Sequence, residues 1–232
     1  MSNAFSLLSA VTRARLDEAG KRWFDNAIDV ARRQDRNRLL GSYTGASRHA
    51  GISALSLGSD ERAALSSVAP DVSFEHWAIA DAARAALLLA AADTASDADA
   101  WVETATACFE NGDAREQQSW LRALSLMPNA DRFAATAVDA CRSHIQPTFD
   151  SIACENPYPA AYFPESQFNQ MVLKAMFTGV RIERIVGLAG RLNPELSRMA
   201  RDYAAERRAA GRSVPPDLVL ALHDMALEEH LS

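Results

Sequence analysis

The chain has 232 residues, enough to bury a full core as one large domain or two small ones, and its apolar fraction of 48% is ordinary for a globular protein. A formal net charge of −6 argues against a generic nucleic-acid binder, and 10 Gly with 9 Pro leave little room for a long disordered tract. Alanine-rich, arginine-heavy texture with few β-branched runs favours helix over strand.

The charge is uneven. Residues 1–50 carry 9 basic against 5 acidic groups, and residues 51–120 carry 3 against 12. Solvated helix faces account for such blocks more readily than a partner surface does. The first helix is expected from about Thr12 to Arg38, with Leu16, Trp23, Ala27 and Val30 at helical spacing and Arg and Asp opposite. A loop is expected at 41–51, where Gly41, Gly45 and Gly51 lack the Gly-Lys-Ser/Thr ending of a phosphate-binding loop.

Ser59, followed by Asp60 and Glu61, predicts a short helix to about Val68, stopped at Pro70-Asp71. Ser73 is expected to cap a long helix burying Phe74, Trp77, Ala78, Ala82, Ala85 and Leu89. Its run Leu87–Ala92, bracketed by Asp81, Arg84 and Asp93, is too short to span a bilayer. Asp97 starts the next helix, with Trp101, Ala105 and Cys108 on one face, and Asn111-Gly112 ends it with a left-handed cap. Asp113 opens an antiparallel neighbour carrying Trp120, Leu121 and Leu124, and after Pro128 a further helix follows from Asp131 with Phe133, Ala137, Cys141 and His144.

Four prolines at 147, 157, 159 and 164 rule out a long helix between Gln146 and Pro164 and predict an ordered crossover. Glu165 to Gly179 is expected to be a helix apolar almost all round, and therefore buried. A short helix is expected around Ile182 to Val186, and Asn193-Pro194-Glu195 is a strong start for one reaching Gly211. Pro215-Pro216-Asp217 begins the last, with Leu218, Leu222, Met225 and Ala226 inward. The expected fold is all-α without a β-sheet, its antiparallel hairpins of helices about fourteen to sixteen residues long stacked into an α-α superhelix like the HEAT and TPR solenoids. It reads as a single all-helical domain over 1–232, in which N-terminal helices and loop (1–70) precede a hairpin array (71–146) and the proline crossover with the C-terminal helices (147–232). No signal peptide or membrane span is legible, and a cytoplasmic protein is expected.

Chemistry is sparse. His49, His76, His144, His223 and His230 are scattered without metal-ligand spacing, and no cofactor motif appears. Cys108, Cys141 and Cys154 read as reduced, buried thiols. Asp93, Asp97 and Asp99 fall where helix caps attract acids. No catalytic residue is assigned. The informative stretch is the proline loop and the helix after it. Among 22 arginines the chain keeps only two lysines, Lys21 and Lys174, and Lys174 lies on that helix one turn from Gln170. Asn169, Gln170 and Lys174, with Glu155, Asn156 and Tyr158, can form a polar ligand pocket. They can equally form an internal network that ties down loop carbonyls, with Lys174 paired to Glu155 or Glu183, and proline-bearing crossovers weight the balance slightly towards the network. A second candidate is the helix Arg201–Arg208, where Arg198, Arg201 and Arg208 make a stripe able to grip a phosphate or carboxylate, against the plainer reading of a solvated face.

The runs Asn156-Pro157-Tyr158-Pro159, Phe168 to Phe177, Ile185-Val186-Gly187-Leu188, Arg191 to Leu196 and Arg201 to Arg212 resemble the EboA family, and so does Phe109 to Leu124. The resemblance is strong over about 105–215. It implies a small helical protein of a bacterial and algal gene cluster whose other members include a prenyltransferase-like membrane enzyme, a sugar-phosphate cyclase-like protein and metal-dependent hydrolase-like proteins. It further implies a metabolite traffic protein, in cyanobacteria linked to moving a secondary-metabolite precursor towards the periplasm. No catalytic residues carry over from it. The function expected from the resemblance is a non-catalytic binding or scaffold module that handles a metabolite precursor with proteins of its cluster, a membrane enzyme among the candidate partners. A pure protein–protein adaptor is the alternative, and an enzyme acting on a cyclitol- or prenyl-type intermediate, with Lys174 and Glu155 as acid–base groups, is a third.

Overall fold

A computed structural model describes residues 3–223 of the chain. The helices are α1 Asn3–Ala14, α2 Glu18–Arg32, α3 Arg36–His49, α4 Ser59–Val68, α5 Ile79–Ala92, α6 Ala98–Glu110, α7 Ala114–Ala123, α8 Ala134–Ala140, α9 Gln146–Ala153, α10 Tyr158–Tyr162, α11 Glu165–Thr178 and α12 Pro194–Ala209. Single 3-10 turns stand at Leu124–Leu126, Ala130–Phe133, Ile182–Arg184, Leu188–Arg191 and Pro216–Ala221. The fold is all-α. Among the described residues no strand forms, and Ala54 and Ala78 make an isolated antiparallel bridge. No helix among them is long and apolar enough to cross a membrane. The chain divides into two compact units, with the division between Ile152 and Ala153.

The first unit is built around α5. Its sequence, mostly Ala and Leu, offers no polar stripe, so it can only sit inside, and every residue from Ile79 to Ala91 is buried. Helices α1, α2, α3, α6 and α7 all contact it. A solenoid needs each hairpin to pack on its sequence neighbours. Here contacts from α1 leap three helices to α5, so the packing of this unit converges on one helix.

Several local expectations are corrected. The single helix expected over 12–38 is broken twice, because acidic caps restart it. Asp17 accepts from the amide of Gly20 at 2.7 Å, and Asp35 accepts from that of Arg38 at 3.1 Å after Gln34 turns left-handed. The break rotates α2, so that Phe24, Ala27, Ile28 and Ala31 face inward and Trp23 and Val30 are only half-buried. The expected loop at 41–51 is largely the second half of α3. Helix α5 begins at Ile79 and not near Ser73. Its carboxylate Asp81 reaches back to the amide of Ala78 at 2.8 Å, while Phe74 and Trp77 are buried from the turn that precedes the helix. Gly112 does not supply a left-handed cap; a side chain there would collide with the Cys108 carbonyl and Glu116 Cβ, each at 2.9 Å. Helices α7 and α8 are shorter than expected: α7 gives way to a 3-10 turn at Leu124, and α8 begins only after one at Ala130–Phe133.

The crossover expected from Gln146 to Pro164 holds two helices instead, α9 over its first half and then the short α10, whose Pro159 occupies the first turn where its missing N–H is harmless. Helix α11 ends at Gly179 as expected, where that glycine is left-handed, but it is not apolar all round. Phe168, Asn169, Met171, Val172, Ala175 and Met176 are buried, whereas Glu165, Ser166, Gln170, Phe177 and Thr178 are exposed. Asn193 caps α12 by accepting from the amide of Leu196 at 2.9 Å. The segment after Pro215 is a 3-10 turn with Leu218 and Leu222 buried; Met225 and Ala226, expected inward, lie outside the described residues, as does His230.

Candidate functional site

Glu155 adopts a left-handed backbone (φ 50°) that aims both its amide and its carboxylate at one residue. The amide donates to the Arg184 carbonyl at 2.9 Å, and the carboxylate accepts from Arg184 Nε and a terminal nitrogen at 2.7 and 2.9 Å. Glu183 pairs with Arg181 at 2.6 Å. The two carboxylates expected to pair with Lys174 are thus held by arginines, whose planar fork suits a carboxylate better. Asn156, buried, accepts from the amide of Tyr158 at 3.0 Å and so starts α10. Tyr158 is fully buried, with the rings of Tyr162 and Phe163 at 4.8 and 6.2 Å.

Asn169 points inward from α11 and exchanges amide bonds with Asn193 at 3.1 and 3.0 Å. Its neighbour Gln170 lies on the solvent side, and Lys174 is half-buried. On α12 Arg201 is half-buried and Arg208 exposed, while Arg198 is engaged by Glu195 and Asp202, both at 2.6 Å. The eight residues therefore sort into an inward group and an outward one. Glu155, Asn156, Tyr158 and Asn169 make bonds or packing within the unit; Gln170, Lys174, Arg201 and Arg208 lie on the partly or wholly solvated surfaces of α11 and α12.

Two residues that hold this region together escape a reading by spacing. Arg191 donates to the Ala160 and Phe163 carbonyls at 2.6 and 2.7 Å, closing the open end of α10, and lies 4.6 Å over the Phe168 ring. Tyr203 donates its hydroxyl to the Met176 carbonyl at 3.0 Å, which secures the last turn of α11.

The first unit holds a charged network that the sequence reading missed. Arg84, 2% exposed on α5, donates to the Tyr43 carbonyl at 2.9 Å, to Ser47 Oγ at 2.9 Å and to Ser119 Oγ at 3.1 Å, with a Glu116 carboxylate oxygen at 3.8 Å. Ser119 in turn donates to Asp81 at 2.5 Å, and Arg122 donates to the same carboxylate at 3.1 Å. The signal was available: Asp81 and Arg84 are one turn apart inside an otherwise apolar helix, where an unpartnered charge is untenable. Burial also pushes the nearby Cys108 thiol up to about 12 and the Tyr43 hydroxyl well above its ordinary range, so neither is charged near neutrality. This thiol is inert, as a buried cysteine is expected to be.

Beyond the end of α11, Gly179 and Val180 turn back towards the Pro216–Ala221 turn and leave a cleft of about 490 Å³. Met176, Val180, Pro215, Val219 and Leu220 give it an apolar lining. Asp217 is on its wall and ties its two sides together, accepting from the amide of Ile182 at 2.7 Å. The Arg181–Glu183 pair stands at its margin.

These features define an all-helical protein whose buried charged and amide side chains are bonded within its units and whose second unit carries an open, largely apolar cleft of metabolite size. The family described as metabolite traffic protein EboA has a sequence model that matches residues 4–223, and the chain belongs to that family. No curated protein and no solved structure matches it.

Proposed function

We propose that this protein is a non-catalytic binding module that holds a precursor of a secondary-metabolite pathway and passes it to pathway proteins. Membership of a metabolite traffic family supports handling of a metabolite. The observation that carries the binding site is the cleft beyond α11. Its volume of about 490 Å³ lies in the range of small-molecule sites, and its apolar walls with a few charges at the edge are what such sites use. The Asp217–Ile182 and Tyr203–Met176 hydrogen bonds hold the walls before any ligand arrives, which limits the ordering cost of binding. A ligand with an apolar body and one polar end fits this lining. Gln170, Lys174, Arg201 and Arg208 stay in the proposal as contacts for the polar end or for a docking partner, while Glu155, Asn156, Tyr158 and Asn169 shape the loop and helix behind them.

The test is mass spectrometry of small molecules extracted from the purified protein, from Val180→Arg and from Lys174→Met. An extract molecule present in the wild type and lost from Val180→Arg supports the cleft; loss from Lys174→Met as well brings that lysine into the site. Equal recovery from wild type and Val180→Arg sinks the assignment. The adaptor reading draws on Phe177 and Leu220, which are 56% and 45% exposed. An empty wild-type extract, together with loss of a pathway partner from Phe177→Ala, decides for it.

A further inference from the structure

The first unit carries a second cleft of different chemistry. It opens in the segment between α3 and α5, with a volume of about 520 Å³. Two stretches outside the helices, residues 54–57 and 72–75, line it together with Arg62 and Ser66 of α4. Their backbones are fixed by the Ala54–Ala78 bridge, by the amide of Leu55 on the Trp77 carbonyl at 2.7 Å and by that of Ile79 on the Ser53 carbonyl at 2.9 Å. Behind them Arg15 donates to the Ser56 carbonyl and, at 3.0 and 2.6 Å, to both carboxylate oxygens of Glu61 on α4. The lining segments are therefore held without a ligand.

Arg62 and Glu75 both line this cleft. Arg62 donates one bond to the Leu57 carbonyl at 3.2 Å, and among the described residues no carboxylate lies within ion-pair distance of it. The Glu75 carboxylate has neither a hydrogen bond nor an ion pair among the described residues. Some surface arginines of the same unit pair with acids, as Arg13 does with Asp25, Arg36 with Glu103 and Arg132 with Asp99. Here a cation and an anion share one cavity without neutralising each other. Ser56, Ser66, Leu55 and Phe74 line the same cleft, with Leu55 and Phe74 buried.

A ligand that complements separated charges of both signs must itself carry both. We propose that this cleft binds a small zwitterion of the amino-acid class. Its carboxylate takes the guanidinium fork of Arg62, its ammonium meets Glu75, and its side chain lies over Leu55 and Phe74. This site is independent of the cleft beyond α11, and its ligand differs from the apolar one proposed there.

The experiment is calorimetric titration of the full chain with each of the twenty standard amino acids at millimolar concentration, repeated for the tightest binder with its N-acetyl and methyl-ester derivatives and with Arg62→Gln and Glu75→Gln. At least one amino acid is expected to bind, and each derivative and each variant to weaken it about tenfold or more, the scale of one lost charge contact. In Glu75→Gln the further loss on N-acetylation is expected to shrink, and in Arg62→Gln the further loss on esterification. Arg62 and Glu75 are exposed, so unchanged helical circular dichroism is expected of both variants, and Ser66→Phe blocks the cleft by a second route. Absence of binding by all twenty, derivatives that bind like their parent, or binding unchanged in Arg62→Gln, Glu75→Gln and Ser66→Phe each overturns the proposal.

Discussion

Asn169 and Asn193 exchange both of their side-chain amide bonds, at 3.1 and 3.0 Å, and so clamp the buried face of α11 to the first turn of α12. Asn193 also accepts from the Leu196 amide and donates to the Arg191 carbonyl at 3.1 Å. A polar pair this enclosed stabilises little while complete and costs much when halved. Asn169→Leu leaves one N–H of the Asn193 amide without its acceptor, while the Arg191 and Leu196 bonds remain, and is expected to destabilise by about 1–3 kcal/mol. Asn193→Ala loses the α12 cap besides, adding about 1 kcal/mol. Urea unfolding of both single variants and the double variant checks this. The double is expected to cost less than the sum of the singles, and strict additivity contradicts the clamp.

Gly187 and Gly179 share a φ of 76° but differ in their surroundings. A side chain at Gly187 would place its Cβ 2.6 Å from that of Ala160, whereas nothing lies within 4 Å of Gly179. Gly179→Ala then carries only the left-handed backbone cost of about 1–2 kcal/mol. Gly187→Ala adds an overlap worth about 1–3 kcal/mol more, because α10 must move to relieve it. Equal shifts in the thermal midpoint of the two variants contradict the close approach of Gly187 to Ala160.

Helix starts marked by Asp97, Asp113 and Asn193 were legible because a cap is a local event between a side chain and an amide three residues on. The breaks at Asp17 and Asp35 obey the same rule, but a continuing apolar period obscured them. Long-range partners left no local trace. Nothing near Glu155 in sequence points to Arg184, and nothing near Arg84 points to Ser119, since those meetings depend on how helices cross. The lysine that looked exceptional by composition is half-buried, and the deepest cation is Arg84, one arginine among 22.

Arg84 is the centre of the first unit's polar interior. With Arg84→Met, Glu116 stays buried without its cation while Asp81 keeps Arg122, and a guanidinium that bonds Tyr43, Ser47 and Ser119 disappears. Removing one member of such a network costs about 3–5 kcal/mol, because the remaining charge is left uncompensated. Arg84→Lys is expected to recover little of that, since a single ammonium cannot reproduce a fork aimed at three acceptors. Chemical denaturation of both variants tests this; a loss below about 1 kcal/mol for Arg84→Met, within the range of a surface pair, contradicts a central role.

Glu61 gives the first unit a defined acid sensitivity. Hydrogen bonds from Arg15 and from the Gly58 amide at 2.9 Å lower its carboxyl from the usual 4.5 to about 2. A group whose folded pKa is depressed contributes stability that is fully present above its unfolded pKa and is lost as pH falls through the folded one. The contribution of Glu61 is therefore complete above pH 4.5 and declines towards pH 2. Glu61→Gln removes the charge that Arg15 grips while keeping much of the shape. The difference in urea midpoint between wild type and Glu61→Gln is expected to be constant from neutral pH down to about 4.5 and to shrink below it. High salt should narrow the difference as well, since the carboxylate is about one-third exposed and screening reaches it. A difference that stays level down to pH 2 assigns the cost of the substitution to lost packing at the start of α4 and not to the Arg15 ion pair.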